Sequence, residues 1–175
     1  DEVREVLEEL KRISDDSIRH LEEVLRRLRE IIERLKATND DVLRELEEII
    51  RTLLDLDRQG VDKEELKKAL DDVLRRIEDI HRETKRRLDE VLKEAEEAAD
   101  RNRERNERAV EKVRRGGLPK EALDTLERTV EESKKRIKEI LDRVKELIDK
   151  AREDSKRSVE EVRRRIEKAR RDLDR

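Results

Sequence analysis

The sequence contains no Cys, Met, Phe, Trp or Tyr. The absence of Cys excludes disulfide bonds, thiolate nucleophiles and thiolate metal ligands. The absence of aromatic residues and Met leaves Leu, Ile, Val and Ala to form any core. Apolar residues never follow one another in a long run, so we expect neither a signal peptide nor a membrane span, and the cellular compartment stays open.

Glycine and proline are almost absent as well, with 3 Gly and 1 Pro in 175 residues. Gly60 stands alone, whereas Gly116, Gly117 and Pro119 lie together, so these residues mark two breaks that divide the chain into three arms. Gly60 suits the left-handed position that follows a helix, and Pro119 suits the first helical position of the next arm. The breaks predict helices at about residues 2–58, 63–115 and 119–174.

Charged residues dominate what is present. Lys and Arg number 48 and Asp and Glu number 51, so 57% of the chain is charged while the net charge is only -3. A highly charged chain is often disordered, because it cannot bury enough apolar surface to offset the entropy of ordering. Here the aliphatic residues recur every three or four positions along each arm, which is the spacing of one helical face. Periodicity and balanced charge therefore favour an ordered helical protein.

The spacing of these aliphatic seams also predicts the architecture. Short connections between long helices force neighbouring helices to run antiparallel. The seams repeat at nearly the period of a straight α-helix, so little supercoiling is expected. The sequence predicts an all-α fold in which residues 1–175 form one domain, an elongated antiparallel up-down-up three-helix bundle of long, nearly straight helices.

The distribution of residue types is regular to a degree that suggests design. Exposed positions are Glu, Lys, Arg or Asp, inward positions are aliphatic, and each break carries minimal turn chemistry. Over its full length the sequence resembles a de novo designed helical bundle with buried hydrogen-bond networks. The resemblance is compositional and has no family motif behind it. It implies a structural scaffold without a natural biochemical function.

Polar residues interrupt the aliphatic seams at two heights. A buried hydroxyl or amide costs roughly 1–3 kcal/mol when it has no hydrogen-bond partner, so inward polar residues should meet one another. When the arms are folded back at the breaks, one set of such residues falls at a common height. The first predicted layer consists of Ser14, Ser17, Asn102, Asn106, Thr129 and Ser133.

A second set of polar residues falls at another height. It consists of Thr38, Asn39, His81, Thr84 and Ser155. We hypothesise that each layer is a buried hydrogen-bond network that specifies helix register and topology more than it adds stability. The alternative is that Ser, Thr and Asn are merely tolerated at half-exposed edges of the seams.

No arrangement of residues in the sequence indicates catalysis. Glu78 and His81 match the Glu-x-x-His pattern of di-iron bundles, but such a site needs a second copy and further inward carboxylates. Asp16, Ser17 and His20 lie close together on one helix and point to different sides, so they do not predict a hydrolytic triad. We expect no enzyme activity, no catalytic residue, no bound metal and no cofactor.

Two basic stretches, 101–115 and 163–175, raise the question of nucleic-acid binding. Acidic residues are interleaved with the basic ones, the net charge is negative, and no aromatic side chain is available to stack on bases. Solvated helix faces are therefore favoured over a nucleic-acid interface. We expect no nucleic-acid partner and no membrane partner.

The first arm is richer in aliphatic residues than the other two, and this bears on self-association. Leu43, Ile50 and Leu54 lie at the edge of its apolar stripe. We expect the three-helix packing to cover them and the chain to be a monomer that requires no partner. The alternative is an interaction module or building block that self-associates, or binds a designed partner chain, through an apolar strip on this arm.

Overall fold

The computed structural model describes residues 2–175, which form three α-helices joined by two short loops. Helix α1 spans Glu2–Arg58, α2 spans Lys63–Arg114 and α3 spans Lys120–Asp174. The described residues contain no β-strand, so the predicted all-α class is confirmed. Within residues 2–175, no helix contains an apolar stretch of the length that crossing a membrane requires.

Helix α1 ends in a hydrogen-bonded turn built around Gly60. The N–H of Gly60 donates to the carbonyl of Asp57 at 3.1 Å, and the N–H of Val61 donates to the carbonyl of Leu56 at 3.1 Å. This pair of bonds defines a Schellman motif, which satisfies carbonyls that the helix end would leave without donors. Gly60 has a φ of 86°, the left-handed conformation that the sequence predicts for it.

Helix α2 begins at an acidic cap. The side-chain Oδ1 of Asp62 accepts the backbone N–H of Glu64 at 3.3 Å, and the Asp62 carbonyl accepts the N–H of Leu66 at 3.2 Å. A carboxylate at this position satisfies a free N–H of the first turn and lies at the positive end of the helix dipole. The cap therefore fixes where α2 starts.

The second loop differs slightly from the sequence prediction. Gly117, with a φ of 76°, is the left-handed residue. Pro119 precedes the first helical residue, Lys120, and its carbonyl accepts the N–H of Leu123 at 3.1 Å. Pro119 therefore occupies the cap rather than the first helical position, because its carbonyl already accepts the first intrahelical bond. The predicted boundaries at 115 and 119 each lie one residue from those observed.

The chain divides into two compact units, each containing a segment of all three helices. The first unit comprises Asp1–Arg29 and Asp89–Ile148, and the second comprises Glu30–Leu88 and Asp149–Arg175. The prediction that residues 1–175 form a single domain stays a prediction.

In the first unit, aliphatic side chains from the three helical segments form the core. Ion pairs place Glu9 of α1 beside Lys112 of α2 at 3.8 Å, and Asp16 beside Arg105 at 3.6 Å. Partner numbers rise on α1 as they fall on α2, so these segments run antiparallel. The buried cluster at the loop end consists of Val6, Leu10, Ile13, Ala109, Val110, Val113 and Leu126.

The second unit repeats this arrangement. Lys67 of α2 lies 2.7 Å from Asp174 of α3, and Arg163 of α3 lies 3.7 Å from Glu78 of α2, so α2 and α3 also run antiparallel. Each fully buried Leu or Ile contributes about 1.5–3 kcal/mol to stability. The buried cluster consists of Val42, Leu46, Leu53, Leu66, Leu70, Val73, Ile77, Val159, Val162, Ile166, Ala169 and Leu173.

The glycine turn that ends α1 allows a direct test. A Cβ at position 60 meets no atom within 4 Å, so Gly60→Ala tests backbone conformation alone. An L-residue in the left-handed region costs about 1–2 kcal/mol. We expect Gly60→Ala to lower the free energy of unfolding by that amount in urea titrations.

The control for this prediction is Gly116→Ala. Gly116 does not have a positive φ, and its added Cβ would lie 3.4 Å from the Val113 carbonyl oxygen. We expect this change to alter the free energy of unfolding by less than about 0.5 kcal/mol. Equal losses in the two variants would contradict the assigned turn.

Candidate functional site

A chain of hydrogen bonds connects α2 to α1 in the core of the first unit. The amide Nδ2 of Asn106 donates to Oδ1 of Asn102 at 3.1 Å, and Nδ2 of Asn102 donates to Oγ of Ser17 at 2.9 Å. All three side chains are buried. Asn102 and Asn106 share one helix face because they lie four residues apart. Because the bonds have normal length and are shielded from water, the three residues form a connected polar layer, called here the asparagine layer.

Among the described residues of this unit, two buried side-chain polar atoms have no hydrogen-bond partner. They are Oδ1 of Asn106 and Oγ of Ser133, and both side chains are buried. A buried hydroxyl without a partner costs roughly 1–3 kcal/mol relative to water. Ser133 is therefore buried as the sequence predicts, but it does not add a hydrogen bond from α3 to the asparagine layer.

The remaining two residues of the first predicted layer lie outside the bonded chain. Thr129 is half-buried, and its hydroxyl donates to the backbone carbonyl of Thr125 at 2.9 Å. Ser14 is also half-buried. A Thr hydroxyl commonly bonds the carbonyl four residues back in its own helix, which makes a partner on another helix unnecessary. This local bond explains why Thr129 does not reach the asparagine layer.

The second unit contains a contact between a histidine and a serine on different helices. Nδ1 of His81 on α2 lies 2.7 Å from Oγ of Ser155 on α3. Ser155 is 3% exposed and Thr84 is buried beside them on α2, whereas His81 is half-buried. A cavity of about 320 Å³ opens at this contact. We call His81, Thr84 and Ser155 the histidine layer.

The two α1 residues of the second predicted layer differ in burial. Asn39 is buried, whereas Thr38 is exposed. Thr38 and Thr84 line another cavity of about 340 Å³, together with apolar side chains of Ile31, Leu35 and Ile80. Neighbouring positions on a helix point about 100° apart, so only one of Thr38 and Asn39 can face inward.

The His81–Ser155 contact lacks other parts of a nucleophilic site. Both residues lie inside long helices, where backbone N–H groups already donate to the carbonyls four residues earlier. No backbone donor is therefore aimed at the oxygen that a tetrahedral intermediate would develop. Among residues 2–175, no group of three or more His, Asp and Glu side chains is arranged to hold a metal ion.

His20 takes part in an interaction that reasoning from sequence missed. Its Nε2 lies 3.6 Å from Oε1 of Glu94, and the same carboxylate oxygen accepts a hydrogen bond from Arg27 at 2.5 Å. His20 and Arg27 lie on α1 and Glu94 on α2, so one carboxylate faces an imidazole and a guanidinium group across the helix pair. The antiparallel pairing that aligns Ser17 with Asn102 would have indicated this contact.

Most Lys and Arg residues of the two basic stretches pair with carboxylates. In the first stretch, Arg114 donates to Glu127 at 3.2 Å, in addition to the Arg105 and Lys112 pairs described above. In the second, Arg165 donates to both Glu161 at 2.9 Å and Glu47 at 2.7 Å. Exposed pairs of this kind contribute only about 0–1 kcal/mol each. Their effect here is to reduce the positive potential of both stretches.

Several ion pairs of the second unit shift pKa values, and those around Asp174 and Glu161 are examples. The hydrogen bond from Lys67 lowers the pKa of Asp174 and raises the pKa of Lys67 itself. Hydrogen bonds from Arg164 and Arg165 lower the pKa of Glu161. A lowered carboxyl pKa means that the charged form is favoured in the folded protein. These carboxylates therefore favour the folded state when they are ionised.

The aliphatic residues at the edge of the apolar stripe of α1 pack inward. Leu43, Ile50 and Leu54 are half-buried and contact the core cluster of the second unit. No large hydrophobic side chain is exposed among residues 2–175. A surface patch of the size that marks an interaction site is not formed by these three residues.

The helices and polar layers define an all-α protein of three long helices with small buried polar clusters. No family model matches the chain. No curated protein matches it either. A solved structure described as a computationally designed three helix bundle is similar over 99% of this chain and 86% of that chain, with a TM-score of 0.50 and 16% sequence identity. This likeness confirms the predicted three-helix fold.

The two serines of the first unit should respond in opposite ways to truncation. We expect Ser133→Ala to raise the free energy of unfolding by about 1 kcal/mol, because it removes a buried hydroxyl without a partner. We expect Ser17→Ala to lower it by about 1–2 kcal/mol, because the amide of Asn102 loses its acceptor. Urea unfolding monitored by circular dichroism measures both. A loss of stability in Ser133→Ala would show that its hydroxyl is bonded.

The Lys67–Asp174 pair predicts a dependence of stability on pH. The lowered pKa of Asp174 gives stabilisation that is present above its unfolded value near 3.8 and is lost as pH falls through the folded value. The raised pKa of Lys67 gives stabilisation that is present below 10.5 and is lost as pH rises through the folded value. We therefore expect Asp174→Asn to be less stable than the parent at neutral pH and equal to it in strong acid.

The control for this prediction is Asp172→Asn, which removes the same charge two residues away on α3. Thermal unfolding of the three proteins across the acid range makes the comparison. A stability difference between Asp174→Asn and the parent that stays constant down to strong acid would contradict the assigned pair.

Proposed function

We propose that the chain is a designed structural scaffold, in which polar layers inside an aliphatic core specify the register of the helices. The observation that carries this proposal is the bonded chain Asn106–Asn102–Ser17, which joins two helices through buried side chains. An aliphatic core packs with similar energy in several registers, whereas an amide is satisfied only opposite its partner. The network therefore favours one alignment of α1 against α2.

The penalty for a shifted alignment supports this role. Moving α1 by one heptad brings Leu10 or Val24 opposite Asn102 in place of Ser17, and both side chains are buried and apolar. The amide of Asn102 then loses its acceptor, at a cost of about 1–3 kcal/mol. Leu10 and Val24 offer no hydrogen bond in return. The same aliphatic layers without the asparagines lack this penalty.

Design as the origin of the chain is part of the same proposal. It is supported by the likeness to a computationally designed bundle, by the regular separation of charged and aliphatic positions, and by helix ends that use a glycine turn and an acidic cap. The role that follows is structural. We infer that the chain works without catalysis, cofactor or bound metal.

We further propose that the chain is a monomer. The inward packing of Leu43, Ile50 and Leu54 supports this, because it removes the apolar strip that a second copy would cover. We expect light scattering to give a mass near 21.1 kDa at every concentration tested. A mass that doubles with concentration would favour the alternative of a self-associating building block.

Replacing both asparagines by leucine tests the register proposal. We expect Asn102→Leu/Asn106→Leu to fold and to be more stable by about 1–4 kcal/mol, because a buried polar group is exchanged for apolar packing. We also expect a less unique structure, seen as broadened amide resonances. Thr129→Leu is the control, since Thr129 lies outside the bonded chain. Gross unfolding of the double variant would show that the layer is needed for stability.

Register itself is measurable because the chain has no Cys of its own. Glu9→Cys/Lys112→Cys joins positions whose side chains pair at 3.8 Å, whereas Asp16→Cys/Lys112→Cys joins positions one heptad out of alignment. We expect a short bifunctional thiol reagent, which can span the reach of a Lys–Glu pair, to crosslink only the first pair in the parent and both pairs when the asparagines are leucine. Equal selectivity in the two backgrounds would refute the register role.

A further inference from the structure

The cavity beside the histidine layer has an unusual combination of polar groups. It measures about 320 Å³, lies between α2 and α3 of the second unit, and includes His81, Thr84 and Leu88 in its lining. Lys85, Arg152 and Lys156 also line it, and the two lysines are exposed. Cations from both helices therefore converge on a cavity whose inner wall carries a buried serine hydroxyl.

The carboxylates of the cavity are directed toward arginines. Asp149 lies 3.7 Å from Arg152, and Glu153 lies 3.6 Å from Arg157. In the described part of the chain, the ammonium groups of Lys85 and Lys156 form no ion pair. An ammonium group without a carboxylate partner retains its full attraction for a diffusible anion. The two lysines therefore supply the positive potential of the cavity.

The inner wall supplies a directed hydrogen-bond donor. When Nδ1 of His81 carries the proton, it donates to Oγ of Ser155 across the 2.7 Å contact. The Ser155 hydroxyl is then left to donate its own hydrogen toward the cavity. Buried donors and flanking cations together form the kind of site that holds a small oxyanion.

We propose that this cavity binds a small dianionic oxyanion of the size of sulfate, held by the ammonium groups of Lys85 and Lys156 and by the hydroxyl of Ser155. Asp149 and Glu153, which also line the cavity, oppose the anion and limit its affinity. A dissociation constant on the order of millimolar follows from one or two charge-assisted hydrogen bonds at an open site.

A similar cavity in the first unit provides an internal comparison. It measures about 310 Å³ and is lined by Ser17, His20, Arg101, Arg105 and Asp16. There Arg105 pairs with Asp16 at 3.6 Å, and the imidazole of His20 faces Glu94 at 3.6 Å. Arg105 and the imidazole of that cavity therefore already have carboxylate neighbours, which leaves Arg101 as its one cation without a described ion pair. One such charge attracts a dianion more weakly than the two lysines of the second unit.

The histidines report on the two cavities separately. Because the chain lacks Phe, Trp and Tyr, the aromatic region of a carbon-proton correlation spectrum contains only the imidazoles of His20 and His81. The full chain is titrated with sodium sulfate at pH 7, with sodium chloride of matched ionic strength as reference. We expect His81 resonances to shift and saturate at millimolar sulfate, while His20 resonances follow the chloride reference. His20→Gln assigns the signals.

Variants separate a built site from general salt effects. We expect Lys85→Gln/Lys156→Gln to weaken sulfate binding by about tenfold or more, and Ser155→Ala to weaken it several-fold. Lys135→Gln/Lys138→Gln removes the same charge from exposed positions of the first unit and should leave the titration unchanged. Circular dichroism establishes that each variant is folded.

Two results would overturn the proposal. One is a linear, non-saturating shift of both histidines, which indicates ion atmosphere alone. The other is a folded Lys85→Gln/Lys156→Gln protein that titrates like the parent.

Discussion

The structure depends on the free-energy cost of leaving a polar atom inside an aliphatic core without a hydrogen-bond partner. Leu, Ile, Val and Ala fill the interior, and their attraction is nearly independent of direction. Hydrogen bonds such as that between Asn102 and Ser17 depend on both distance and angle. In this protein the aliphatic residues therefore supply most of the stability, while a few buried amides and hydroxyls supply the directional contacts between helices.

The charged surface residues make smaller contributions to helix stability and alignment than the core does. Many ion pairs join residues three or four apart on one helix, such as Arg164 with Glu161, and add a few tenths of a kcal/mol to helix stability. Fewer ion pairs join residues of different helices. In several of these, one charged group contacts two partners, as Glu94 contacts His20 and Arg27. Such contacts discourage wrong alignments through like-charge repulsion, but solvent screening keeps each contribution small.

The sequence predicts helix ends and the heights of polar residues well, because both depend on local chemistry and on counting along a helix. Gly60 and the pairing of Ser17 with Asn102 are examples. It predicts side-chain direction less well. Thr38 is exposed although its neighbour Asn39 is buried, because one position along a helix rotates a side chain by about 100°.

Hydrogen-bond choice is harder still to read from sequence. Thr129 bonds its own helix and Ser133 bonds nothing, although counting places both at the height of the asparagine layer. Which hydrogen bond a hydroxyl makes depends on its side-chain rotamer, and rotamers differ in energy by about as much as the hydrogen bonds themselves. Amides are more predictable than hydroxyls, because a buried amide cannot readily satisfy itself on its own helix backbone.

The two polar layers consequently differ in how strongly they can specify structure. An unpaired amide is costly only where water cannot replace the lost partner. Asn102 and Asn106 are almost fully buried, so a shifted alignment places their amides against apolar side chains. His81 is half-buried beside an open cavity. If its hydrogen bond with Ser155 is lost, water can replace it. The proposed register role therefore rests on the asparagine layer, whereas the histidine layer leaves polar groups accessible to solvent.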